Sequence, residues 1–99
     1  MYSEQELIIK LTQIFKQYPI KRAALFGSYA RGEQNSDSDL DLILDYEFSK
    51  ELPDFFGFWD ELERMMGLRA DVLTFNSLDT TPHIIKKNIL KEMRSIYEV

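Results

Sequence analysis

The segment "DLDLILD", Asp39 to Asp45, alternates carboxylates with leucines, and only an extended strand lets both kinds of residue find a suitable surface. Along a strand Asp39 and Asp41 point to one face, and Leu40, Leu42 and Leu44 to the other. The leucine face is the natural core face. The aspartate face is then expected to be open or lined with positive charge. Carboxylates are poor strand formers, and like charges on one sheet face repel. At ~6 Å and an effective dielectric of ~20, two such groups repel by roughly 3 kcal/mol. A bound divalent cation reverses that sign, and oxygen-only ligands favour Mg²⁺ or Mn²⁺. The plain alternative is a solvated strand face, and for Asp37, on the loop side, it is the better reading. A calcium loop starting at Asp37 is excluded, because Leu42 stands where its glycine belongs and Phe48 where its closing glutamate belongs.

The rest of the chain is organised around this strand. With 99 residues there is enough chain for one domain, 1–99, and no repeat or linker divides it. Ser3 and Glu6 form a capping box that opens a helix, and Leu7, Leu11, Ile14, Phe15 and Tyr18 give it one apolar stripe before Pro19. "IKRAALF" reads as a strand stopped by Gly27, "YARG" as a short helical start and "EQNSDS" as a polar loop. "SKELPDFFGFWDELERMMG" reads as a second long helix, with Pro53 near its start and Gly67 near its end. "LRADVLTF" is a third strand. "DTTPHIIKKNILKEMRSIYEV" reads as a final helix capped by Thr80 or Thr81, with Pro82 in its first turn. The predicted order is α-β-α-β-α-β-α. The fold class is α/β (α+β), a short mixed sheet of about three to four strands flanked by helices.

Two further features bear on chemistry. Asp71 stands in the apolar run "RADVLTF", where an unpaired buried carboxylate would cost several kcal/mol. If its strand lies beside the second strand, Asp71 joins Asp39 and Asp41 in one acid cluster. The alternative is a carboxylate at a sheet edge, paired with a surface cation. The second feature is "FGSYARG". Gly27 lacks a Cβ, so a phosphate can approach its backbone, and Ser28 offers a hydroxyl and an N–H at a helix start. Neither a Walker A loop nor a G-x-G-x-x-G fingerprint is present.

"GSYARGEQNSDSDLD" resembles the signature of the DNA polymerase β-type nucleotidyltransferase superfamily: Gly-Ser, ten residues, then D-x-D. "GSYARG" and "SDLDL" are similar to its minimal nucleotidyltransferase (MNT) branch, many of whose members are antitoxins of HEPN-domain ribonuclease toxins. The resemblance covers nearly the whole chain, including the later single Asp in a strand. It implies that Asp39, Asp41 and Asp71 are the catalytic carboxylates and hold two metal ions, Mg²⁺ or Mn²⁺. Asp71 would help bind metal or take the proton from the attacking hydroxyl. Gly27 and Ser28 would hold the triphosphate of ATP. Arg31 would contact phosphate or a neighbouring acid, with a plain surface arginine an equal alternative. The implied activity is a type VII-like antitoxin reaction, AMP transfer from ATP to a tyrosine hydroxyl of the HEPN toxin. The competing functions are a non-catalytic antitoxin that neutralises by docking, and a nucleotidyltransferase with a small acceptor such as an aminoglycoside, for which little chain remains.

Composition limits the partners. The formal charge is -5, so no direct nucleic-acid contact through surface charge is expected. No long apolar run suggests a membrane span, the acidic amphipathic N-terminus is unlike a signal peptide, and the lack of cysteine fits a reducing cytoplasm. Phe55, Phe56, Phe58, Trp59, Leu62, Met65 and Met66 exceed one narrow stripe. Most are expected in the core. Any surplus would form an apolar patch for the toxin, on this helix or the last, with Phe56 and Phe58 the residues to probe. A homo-oligomer is left open. His83 is assigned no catalytic part, and Lys86, Lys87 and Lys91 are read as a solvated face.

Overall fold

In the computed structural model, which describes residues 2–47 and 55–99, a four-stranded sheet carries helices on both faces. Pro53 and the start expected for the second long helix lie outside the described residues. The elements are α1 (Glu4–Phe15), β1 (Ile20–Phe26), α2 (Gly27–Arg31), β2 (Leu40–Tyr46), α3 (Phe55–Met66) and β3 (Ala70–Thr74). A 3-10 turn (Asn76–Thr80), α4 (His83–Glu92) and β4 (Arg94–Glu98) complete the order. The strands lie in the order β3-β2-β1-β4. β1 is antiparallel to both β2 and β4, and β2 is parallel to β3.

β2 is the central element. Leu40, Leu42 and Leu44 are fully buried in a core shared with Leu7, Leu11, Ile14 and Phe15 of α1 and Phe58, Leu62 and Met66 of α3. α1 opens with the expected capping box: the Ser3 hydroxyl accepts the Glu6 N–H, and the Glu6 carboxylate accepts the Ser3 N–H. The helix ends at Phe15, so Tyr18 lies in the turn beyond it and not on its stripe. Its ring still closes the core, 4.8 Å from Phe58. α3 is fastened to the start of β3 twice. Trp59 Nε1 donates to the Ala70 carbonyl at 2.8 Å, and the Glu63 carboxylate accepts the Ala70 N–H at 2.7 Å.

The opposite sheet face differs from the one expected. It is not simply an open acid face. Ile43 lies between Asp41 and Asp45 and packs with Ala24, Leu78 and Ile89 into a second, smaller core. The run from the 3-10 turn through α4 supplies that cover.

The C-terminal segment also departs from its predicted form. The last helix stops at Glu92, and "RSIYE" turns back as β4 along β1. Ile96 and Tyr97, β-branched and aromatic, suit a strand, and their polar neighbours Arg94, Ser95 and Glu98 are exposed along its edge. The Tyr97 ring packs against Phe15, tilted, with centroids 5.4 Å apart. Thr80 and Thr81 do not cap α4. Both hydroxyls donate back to the Ser77 carbonyl, and Pro82 occupies the cap position with no side-chain hydrogen bond.

Of the aromatic surplus on α3, Phe58 belongs wholly to the core at 0% exposure, so it is no probe of docking, whereas Phe56 is 71% exposed. Among the described residues no helix is long and apolar enough to cross a membrane. Replacing Phe58 with alanine removes a ring held among Tyr18, Tyr46 and Phe55. Denaturant unfolding should show a loss of about 3–5 kcal/mol.

Candidate functional site

The site is built where three strand ends meet. β1 leads directly into α2 at Gly27, and the last residue of β1, Phe26, is the register partner of Asp41. On the other side of β2, Asp41 is the register partner of Asp71 on β3. In a parallel pair, side chains at matched positions share a face, so the two carboxylates lie side by side. Asp41 is half-buried, while Asp39 and Asp71 are exposed. Asp71 stands on the edge strand, so solvent relieves the burial cost that the sequence seemed to impose.

Gly27 has φ of +72°, a conformation that side chains rarely adopt. A Cβ there would lie 2.1 Å from Asp41 Oδ2 and 3.0 Å from its Cγ. The glycine therefore serves two ends. It makes the turn from strand to helix, and it lets the Asp41 carboxylate press against the backbone. Tyr29 and Ala30 anchor α2 by burial in the main core. Arg31 is held by Glu33 at 2.8 Å and by Glu92 of α4 at 3.1 Å.

Electrostatics separate Asp41 from its neighbours. Its carboxyl is pushed up from an ordinary 3.8 to about 6. Burial is the main cause, followed by the charges of Asp71 and Asp39 and the hydrogen bond with the Asp71 carboxyl. Arg31 opposes the shift only weakly. Asp45, four residues further on the same face, contrasts with it: Arg22 lies 3.6 Å away. Asp41 has acids where Asp45 has a cation.

Among the described residues no three acidic, histidine or cysteine side chains converge closely enough to form a ready cation cage. The donor chemistry nonetheless fits a hard divalent cation. The set is all oxygen, and a carboxylate driven toward protonation by burial and by two neighbouring acids is one that positive charge would relieve. Asp39 precedes β2 and lines a polar groove of about 360 Å³ with Ser36, Asp37, Ser38, Gly67, Leu68 and Arg69. Arg69 was absent from the sequence reading. Its position two residues before Asp71 was the available signal.

Residues 9–99 match the family model described as polymerase beta, nucleotidyltransferase. The chain belongs to this family. It is a nucleotidyltransferase by descent, and the matched range includes the Gly27–Ser28 turn, Asp39, Asp41 and Asp71. A Methanocaldococcus jannaschii relative, MJ0435, is 39% identical over 87 residues, 88% of this chain and 90% of its own length. Protein adenylyltransferase MntA of Thermococcus cleftensis is 33% identical over 81 residues, 82% of this chain and 79% of its own. Among solved structures, a toxin-antitoxin with AMP-PNP aligns with TM-score 0.71 at 15% identity, over 93% of this chain and 73% of that one. A complex of tri-AMPylated Shewanella oneidensis HEPN toxin with MNT antitoxin aligns with TM-score 0.66 at 13% identity, over 98% and 74%. At those identities the two structures establish the shared fold.

Two outcomes follow from this geometry. Gly27→Ala should leave the chain folded, at a cost of about 1–2 kcal/mol for the left-handed backbone. It should also displace the Asp41 carboxylate, and ATP binding measured by calorimetry should fall at least tenfold. The second outcome concerns pH. Folded Asp41 binds its proton more tightly than the unfolded chain does, so its contribution to stability is greatest below pH 3.8. That contribution is lost as pH rises toward about 6, and it is flat above. In EDTA, Asp41→Asn should therefore raise the melting temperature at pH 7.5, with the gain vanishing below about pH 4.

Proposed function

We propose that this chain, acting as one domain over residues 1–99, is a protein adenylyltransferase that neutralises a HEPN ribonuclease toxin by transferring AMP from ATP to a tyrosine hydroxyl. The observation that carries the reading is the juxtaposition of Asp41 with Asp71 across the parallel pair and with the Gly27 turn on its other side. Support comes from the adenylyltransferase named MntA among its relatives and from fold neighbours that include a toxin-antitoxin with a nucleotide analogue and an AMPylated HEPN toxin bound to its antitoxin.

In this reading Gly27 and Ser28 hold the triphosphate, with Arg31 at the far end of the same short helix. The tyrosine oxygen attacks the α-phosphorus. A new P–O bond forms, the bond to the β-phosphate oxygen breaks, and pyrophosphate leaves. Asp71, on the exposed edge, takes the phenolic proton. Two Mg²⁺ ions, or Mn²⁺, held by Asp39, Asp41 and Asp71 would supply positive charge at the attacking and leaving oxygens. The added adenylate brings bulk and negative charge to the toxin. Docking would use the exposed Phe56 of α3 and the outer face of α4, where Ile84, Ile85 and Leu90 are exposed beside Lys87 and Lys91.

The deciding measurement uses ATP labelled at the α-phosphate, Mg²⁺, and lysate of the native cell or a co-encoded HEPN protein. Wild type should label one protein band, and Asp39→Asn/Asp41→Asn should reduce that label at least a hundredfold. Absence of label, with both forms still binding and inhibiting the toxin, would replace catalysis with neutralisation by docking.

A further inference from the structure

The groove lined by Ser36–Asp39 and Gly67–Arg69 lies on the β3 side of β2, opposite the Gly27–Ser28 turn, which follows β1. An in-line displacement sets the incoming and leaving oxygens on opposite sides of phosphorus. With the triphosphate at Gly27–Ser28, the acceptor oxygen must come across the β3 edge, past Asp71. Two groove residues lead directly into the acid pair: Asp39 stands two positions before Asp41, and Arg69 two positions before Asp71. The groove's two walls are fixed to each other, because the Leu40 N–H donates to the Arg69 carbonyl at 2.8 Å.

The lining restricts what the groove accepts. Asp37 and Asp39 outnumber Arg69, so an acidic segment is repelled. Arg69 is exposed and has no ion-pair partner among the described residues, unlike Arg22, Arg31, Arg64 and Arg94. Its planar guanidinium is free to lie against a ring, and half-buried Leu68 adds an apolar wall. The protein already makes such a contact elsewhere, with the Arg22 guanidinium 4.1 Å from the centre of the Phe75 ring.

We propose that this groove is the acceptor subsite and that Arg69 is a specificity-determining residue, receiving the neutral phenol ring of the acceptor tyrosine so that its hydroxyl faces Asp71. The assignment rests on the adenylyltransferase reading above.

The test has two arms. In the first, N-acetyltyrosinamide is titrated into wild type, Arg69→Ala and Arg69→Lys, and amide shifts are followed by NMR at residues 36–39 and 67–71. Shifts should appear there in wild type. The Kd should rise about threefold to fivefold in Arg69→Ala and less in Arg69→Lys, which keeps the cation. N-acetylglutamate amide should bind more weakly than the tyrosine compound. Equal Kd in wild type and Arg69→Ala, or tighter binding of the glutamate compound, overturns the proposal.

The second arm uses the acceptor protein identified by labelling. Arg69→Ala should raise the acceptor KM by a similar factor and leave the KM for ATP unchanged. A rise in the ATP KM alone would move Arg69 to the nucleotide and also overturn it. If wild type labels no acceptor, the adenylyltransferase reading fails, and the titration still decides whether Arg69 receives a phenol.

Discussion

The contact on which the rest depends is the Asp41 carboxylate pressed against the backbone of Gly27. It exists because two registers agree. Phe26 pairs with Asp41 across the antiparallel ladder, and Asp41 pairs with Asp71 across the parallel one. Both registers are fixed by the other face of β2, where Leu40, Leu42 and Leu44 have no exposure at all. A one-residue slip would put two carboxylates and Ile43 where the three leucines now lie, so burial of the leucines holds the acids in place. The core specifies the site without touching it.

The two faces of β2 divide the work. The leucine face meets α1 and α3 and carries most of the buried apolar surface. The acid face is interrupted by Ile43, whose small cluster with Ala24, Leu78 and Ile89 brings the 3-10 turn and α4 over the sheet. That cover tells the acids apart. Asp45 is matched by Arg22, while Asp41 is surrounded by acids and half-buried. A protein selected only for stability would supply Asp41 with a cation from its own chain. Here the nearest positive influence, Arg31, is engaged by Glu33 and Glu92.

Much of this was legible in the sequence, for physical reasons that apply residue by residue. Period-two alternation gave β2 its faces. The run "IKRAALF", stopped by Gly27, reads as the strand it forms, and the Ser3–Glu6 box marks α1 by its hydrogen-bonding logic alone. The misses share one cause, which is that tertiary contacts override local pattern. "RSIYEV" continues a helical tract in sequence, yet the free edge of β1 offers a ladder of backbone hydrogen bonds that draws it into β4. Thr80 and Thr81 look like caps, but the 3-10 turn before them presents the Ser77 carbonyl first. Which phenylalanine of α3 faces outward depends on the helix's rotation over the sheet, which puts Phe58 in and Phe56 out. No local signal announces that Ile43 seats a second core on an acid face. The Asp41–Asp71 match could be inferred only if β3 lay beside β2, and the sequence left a sheet-edge alternative open. The structure joins the two, since β3 is itself the edge and Asp71 is exposed on it.

Placing the charge strain at one residue of a rigid strand has a chemical consequence. Electrostatic catalysis works best when the groups that will meet charge are already fixed, because nothing has to reorganise during reaction. Asp41 is fixed by two ladders and by the glycine against it. Asp71 is fixed through Ala70, whose N–H and carbonyl are held by Glu63 and Trp59 of α3. The α2 turn is fixed by Tyr29 in the core and by the Arg31–Glu92 pair to α4. Asp39 alone precedes its strand, exposed and free of the ladder. The carboxylate with the least restraint is also the one that lines the groove, so the site combines a rigid pair with one adjustable arm. On the proposed adenylyltransferase reading, a cation would relieve the strain of the rigid pair, and the Asp39 arm would meet it without disturbing the leucines beneath.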